Sequence, residues 1–134
     1  MSWKSISSRV VALLLVMVMG LVGCSNSPGG LTGNYGQDTL AVIENITNAI
    51  DIPADAENRQ EVSVSARQQI NDYVSRYRRN SRYSGSRSFT TMQTALNSLA
   101  GFYSTYGNRP VSEKLKKRLK QEFKQVKFAL QRGA

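Results

Sequence analysis

The 134-residue chain has no histidine and one cysteine, and its acidic side chains number nine against eighteen lysines and arginines. Without histidine, neither a Cys/His nor a Ser/His nucleophile pair can be assembled. A lone cysteine rules out a disulfide within the chain, so bridges say nothing about compartment. Any metal would have to be held by carboxylates, and Asp51, Asp55, Glu57 and Glu61 form the only acidic cluster. That cluster has no calcium-loop spacing, and its charges suit the positive end of a helix, so it reads as a solvated helix start. The apolar run at residues 10–19 is too short to cross a bilayer and has the length of a signal h-region. Internal repeats and a convincing pair of strands are also missing. No enzyme and no cofactor are expected.

What is present begins with that run. Lys4 and Arg9 lie behind it, Gly20 follows it, and then comes Leu21-Val22-Gly23-Cys24. A small residue directly before the sole cysteine resembles a bacterial lipobox. The resemblance implies a diacylglycerol on the Cys24 sulfur, cleavage before it and acylation of the new amino terminus. Residues 1–23 are then a removed lipoprotein signal peptide. Ser25-Asn26-Ser27-Pro28-Gly29-Gly30 has a composition no core would use, so residues 24–33 read as the lipidated start and a flexible tether. Acyl chains contribute about 0.8 kcal/mol per buried methylene, and two or three of them hold a small domain stably at a membrane.

The remaining 111 residues suffice for one core, and they carry +7 once Lys4 and Arg9 are gone. Residues 24–66 hold six acidic side chains against Arg59, a balance of −5, whereas residues 67–134 hold fifteen basic against three acidic, a balance of +12. Such a polarised molecule is steered toward an anionic surface. Lipid headgroups, nucleic acid and an acidic protein face would all serve.

Residues 34–134 read as four helices. Asn34 with Gln37 resembles a capping box, and Leu40, Ile43, Ile46, Thr47 and Ile50 recur at helical spacing until Ile52-Pro53 stops them. Asn58 with Glu61 suggests a second cap; Val62-Ser63-Val64-Ser65 alternates like a strand, but Ala66, Ile70, Tyr73, Val74 and Tyr77 carry helical spacing over a longer window. Residues 81–86 read as a loop. Ser88 is the expected cap of the third helix, whose stripe is Phe89, Met92, Leu96, Leu99, Tyr103 and Tyr106; Gly101 within it suggests a closely approaching backbone. Gly107 should end it in a left-handed conformation, with Pro110 beyond. Ser112 caps the last helix, with Leu115, Leu119, Phe123, Val126 and Leu130 on one face and lysines around the rest. Short connectors make an all-α, antiparallel up-down-up-down four-helix bundle the economical fold, with three helices and a mobile first segment as the alternative.

The stretches 35–43, 66–73, 76–79, 87–101, 108–110 and 113–119 resemble the family of small lumenal lipoproteins that assist photosystem II assembly and repair, and the likeness runs from about Leu31 to the end. It implies a four-helix bundle, anchored on the lumenal side of the thylakoid membrane, acting without catalysis and as a monomer. The partner it implies is the inner antenna subunit beside the reaction-centre core, in immature or damaged complexes. Occupancy there would keep the extrinsic subunits off while the manganese-calcium cluster is assembled. The likeness is weaker at residues 25–30 and 82–85.

For the contact itself, Arg76, Arg78, Arg79, Arg82 and Arg87 surround the second connector, and arginine suits a bidentate grip on carboxylates. Arg109 beside Pro110 is a further candidate. The lysines of the last helix suit anionic headgroups or simply a solvated face. Tyr77, Tyr103 and Tyr106 have the spacing of core residues more than of an interface. Export and lipidation place the chain away from nucleic acid. An envelope lipoprotein that binds some other acidic protein is the competing reading.

Overall fold

The computed structural model describes residues 30–134; the signal segment, Cys24 and the first part of the tether lie outside the described residues. Four long helices, α1 (Tyr35–Ile50), α2 (Arg59–Arg78), α4 (Arg87–Tyr106) and α5 (Glu113–Gln131), are accompanied by the single turn α3 (Ser81–Ser84). No strand occurs among the described residues. The long helices share one core: Val42 and Ile46 of α1, Met92, Leu96 and Leu99 of α4, and Leu119 and Val126 of α5 expose no surface at all. With Val42 and Ile46 at its centre, α1 is a full member of the fold. The alternative of a mobile first segment does not hold for it.

Local chemistry starts each helix. Asn34 Oδ1 accepts from the Gln37 amide at 3.0 Å, and Ser112 Oγ accepts from the Leu115 amide at 3.2 Å, so both expected caps form. Asn58 precedes α2 as expected, but its side chain makes no capping bond. The third long helix starts two residues earlier than expected. Ser86 is its cap, accepting from the Phe89 amide at 3.2 Å, because Ser88 is buried in the first turn with its hydroxyl 2.7 Å from the Tyr35 hydroxyl. The stretch read as a loop contains α3, capped by Asn80 and held by Tyr83, whose ring stacks on Tyr35 at 4.2 Å between centroids.

The apolar stripes are right in phase and wrong at their edges. In α1 the covered arc runs through Tyr35, Thr39, Val42, Ile43, Ile46 and Ile50, and Leu40, turned about 100° from Thr39, is 46% exposed. Tyr106 is likewise half exposed, beyond the reach of the neighbouring helices. Gly101 faces solvent, and a Cβ there would meet nothing within 4 Å, so no approaching backbone explains it. Gly107 does end α4 with a positive φ of 66°, but with ψ of −131°, a glycine backbone other than the left-handed helical one.

Contacts between helix ends define two poles. At one, Asp38 near the start of α1 meets Tyr77 at the end of α2, Tyr35 meets Ser88 at the start of α4, and the Ser88 amide donates to an oxygen of Ala134 just past α5. At the other, the Arg59 guanidinium at the start of α2 donates to the carbonyls of Ala54 and Asn108. Lys120 in α5 reaches Asp51, just past α1, at 3.0 Å.

Candidate docking surface

The first pole is built on tyrosine. Tyr35 stacks on Tyr83 and meets Tyr77 edge-on at 5.1 Å, while Tyr73 lies against Tyr77 at 5.3 Å and Phe89 at 6.2 Å. Rings in such offset and edge contacts contribute about 0.5–1.5 kcal/mol per pair beyond burial. Their hydroxyls are satisfied inside: Thr39 donates to the Tyr35 carbonyl at 2.7 Å, which leaves Tyr73 to donate to the Thr39 oxygen at 2.7 Å. Tyr77 donates to Asp38. Burial pushes the Tyr73 and Tyr77 hydroxyls well above the ordinary tyrosine range, and for Tyr77 the neighbouring Asp38 adds to it.

Asp38 is the joint between this cluster and the incoming chain. Only 1% exposed, its Oδ1 accepts from the Thr32 amide and the Thr32 hydroxyl, both at 2.7 Å, and its Oδ2 from the Gly33 amide at 3.0 Å and from Tyr77. Burial pushes the carboxyl up, but these four donors outweigh it and hold it below the ordinary carboxylate value. Leu31 is buried and belongs to the core, so the packed fold begins three residues before the expected start of the bundle. Gly33 has a φ of 94°, which strains any other side chain, and a Cβ there would crowd the Arg76 guanidinium at 3.1 Å. Sequence reasoning missed Asp38. The signal was a carboxylate at the helical phase of Tyr35 and Val42, where an unpaired charge would be costly.

On this polar-cored platform the structure places Arg76, in the last turn of α2 beside Gly33, and four more of the six predicted contact arginines. Arg78 and Arg79 lie at the end of α2, Arg82 lies in α3 with its guanidinium 5.5 Å over the Tyr83 ring, and Arg87 is the first residue of α4; all four are exposed. Arg109 is not with them. It sits in the connector between α4 and α5 at the opposite pole, near Ile52 and Arg59. Arg78, Arg79 and Arg87 enter no ion pair among the described residues. The lysines of α5 are mostly exposed, with Lys116 and Arg118 paired to Glu113 and Glu122 along the helix. Tyr77 and Tyr103 are core residues, and Tyr106 is not.

The acidic stretch at residues 51–61 does not converge: Asp51 pairs with Lys120, and no three His, Cys, Asp or Glu side chains gather around a common point among the described residues. A groove of about 680 Å³ between α1 and α2 is lined by the amides of Asn45, Asn48, Asn58, Gln68 and Gln69 and by Glu61, with small and aliphatic side chains between them. No helix of the described residues is long and apolar enough to cross a membrane.

Fold and surface together define a class, the small all-helical protein that presents a cationic pole on a rigid tyrosine-rich core. Within that class the chain belongs to the family described as Photosystem II Pbs27, whose model matches residues 5–130. It is 60% identical to the Photosystem II lipoprotein Psb27 of Synechocystis sp., over 97% of this chain and 96% of that one. It is 50% identical to the Photosystem II assembly factor lipoprotein Psb27 of Thermosynechococcus vestitus, over 98% of both chains. The solution structure of Psb27 from cyanobacterial photosystem II superposes with a TM-score of 0.76 at 62% identity, covering 81% of this chain and 95% of that one.

Proposed function

We propose that the chain is a non-catalytic assembly and repair factor for photosystem II, acting as a monomer anchored through acylated Cys24 on the lumenal side of the thylakoid membrane. In this reading it binds the inner antenna subunit and reaction-centre core of immature or damaged complexes, and its occupancy keeps extrinsic subunits off while the manganese-calcium cluster is assembled. Family membership supports the assembly role, since one relative bears the name of an assembly factor for that complex. The observation that carries the contact is the cluster of Arg78, Arg79 and Arg82, with Arg87 at its edge, exposed together at one pole. Guanidinium forks suit carboxylates on an acidic protein face, and the rigid core beneath them limits the ordering cost of binding. An antiparallel up-down-up-down course of the long helices is part of the proposal. It is supported by the end-to-end contacts of Asp38 with Tyr77, Tyr35 with Ser88 and Arg59 with Asn108.

Affinity purification of the lipidated protein from detergent-solubilised membranes tests the partner. Photosystem II subunits lacking the extrinsic proteins should be recovered; a different acidic membrane protein in their place would support an envelope lipoprotein instead. Reversing both Arg78 and Arg79 to Glu should slow association and flatten its dependence on salt, while circular dichroism stays unchanged. Unaltered binding by that variant would move the contact elsewhere.

A further inference from the structure

We infer that the groove between the start of α4 and the end of α5 is a seat for an anionic lipid headgroup, so that the basic pole rests on the membrane. The inference rests on the reading of Cys24 as acylated, and divides the pole's arginines between lipid and protein. The groove, of about 620 Å³, is lined by Arg87, Thr90, Thr91, Gln125, Phe128 and Arg132, together with Ala129 and Ala134, the latter with an oxygen held by the Ser88 amide. Arg87 and Arg132 are exposed and enter no ion pair among the described residues, and Phe128 beside them is half exposed. A guanidinium pair matches the oxygens of a phosphate or sulfonate, and the threonine hydroxyls and Gln125 amide suit a polyol next to it. An aromatic ring flanked by cations is the side-chain set that favours the boundary between headgroups and hydrocarbon.

Position favours a membrane over an acidic protein segment as the occupant. Leu31 is buried and Asp38 pins Thr32 and Gly33, so the chain enters the fold at this same pole. Six residues lie between Cys24 and Leu31, seven peptide steps with a reach of at most about 25 Å. A 20-residue helix is about 30 Å long, so acyl chains on Cys24 hold this pole, and not the opposite one, close to the bilayer. The opposite pole mixes exposed Asp55 and Glu57 with Arg109 and the first lysines of α5, so charge alone does not choose between the poles and the tether does. Arg78, Arg79 and Arg82, on the α2 and α3 side of the pole, are left for a protein partner.

The lipidated full chain carrying Phe128→Trp, reconstituted into vesicles with brominated acyl chains, reads the seat directly. Its fluorescence should be quenched on phosphatidylcholine vesicles containing phosphatidylglycerol and not on phosphatidylcholine alone. Replacing Arg87 and Arg132 by Gln should lower the seated-to-free ratio about 25-fold, about fivefold for each basic residue at an anionic surface, while the protein stays vesicle-bound. Quenching that is equal on both vesicle types, absent from both, or untouched by the double replacement overturns the seat. So does displacement by inorganic phosphate at the same concentration as the headgroup, which would make the groove a soluble-anion site, or cross-linking from position 128 to a protein and not to lipid. Failure of the anchor is read separately: the protein then leaves neutral vesicles yet still collects, quenched, on anionic ones.

Discussion

Replacing Asp38 by Asn should unfasten the first ordered residues from the bundle. The substitution keeps shape and turns one carboxylate oxygen into an NH₂ group. Left in place, that group meets the Gly33 amide, now 3.0 Å from Oδ2, and the Tyr77 hydroxyl. The hydroxyl can turn and accept, but the amide cannot. Flipping the new side chain is worse, since its NH₂ would face both the amide and the hydroxyl of Thr32, each 2.7 Å from Oδ1. An unsatisfied buried donor costs about 1–3 kcal/mol, and bonds to a charged acceptor lose strength when the charge goes, so the total should be about 2–4 kcal/mol. For a domain of this size that lowers Tm by roughly 10–30 °C. Thermal and urea unfolding measure the cost, and amide exchange at Thr32 and Gly33 locates it. Tyr77→Phe removes one donor and leaves the other three, so it should cost less, and the double variant should be clearly non-additive. The carboxyl is held below its ordinary value, so its contribution is complete above the unfolded value of about 4 and is lost as pH falls through the lower folded value. Asp38→Asn should lack that acid-dependent component. A cost under about 0.5 kcal/mol, or wild-type protection of the two amides, would refute the reasoning.

Two further outcomes follow from the same packing. Tyr73 and Tyr77 have hydroxyls raised by burial, so the stability they contribute is intact below about pH 10 and is lost as pH rises through the folded values. Alkaline unfolding should therefore coincide with the tyrosinate absorbance of these rings, and ionisation of both while the helix signal is unchanged would contradict it. Gly101→Ala should raise stability by about 0.5–1 kcal/mol in urea unfolding, because the site is helical, exposed and open. A loss of stability there would mean that the helix needs the glycine for something the fold does not display.

The four long helices and their phase were legible because they are local. Val42, Ile46, Leu96, Leu99, Leu119 and Val126 repeat at helical steps within their own segments, and Asn34 and Ser112 can cap a first turn without help from elsewhere. The positive half of the chain was readable in the same way. Where a stripe ends was not. Periodicity reports which residues share a face, but the neighbouring helices decide how much of that face is covered, so Leu40 and Tyr106 point into solvent.

Composition and spacing by themselves determined an all-helical chain with a basic second half and no means of nucleophilic catalysis through histidine. Only tertiary structure decided that residues far apart in the chain, Asp38 and Tyr77, Tyr35 and Ser88, would meet at one pole, and that Arg109 would be carried to the other. A hydrogen bond across 39 or 53 residues has no periodic trace, because its partners are chosen by how helices run past one another and not by their neighbours in sequence.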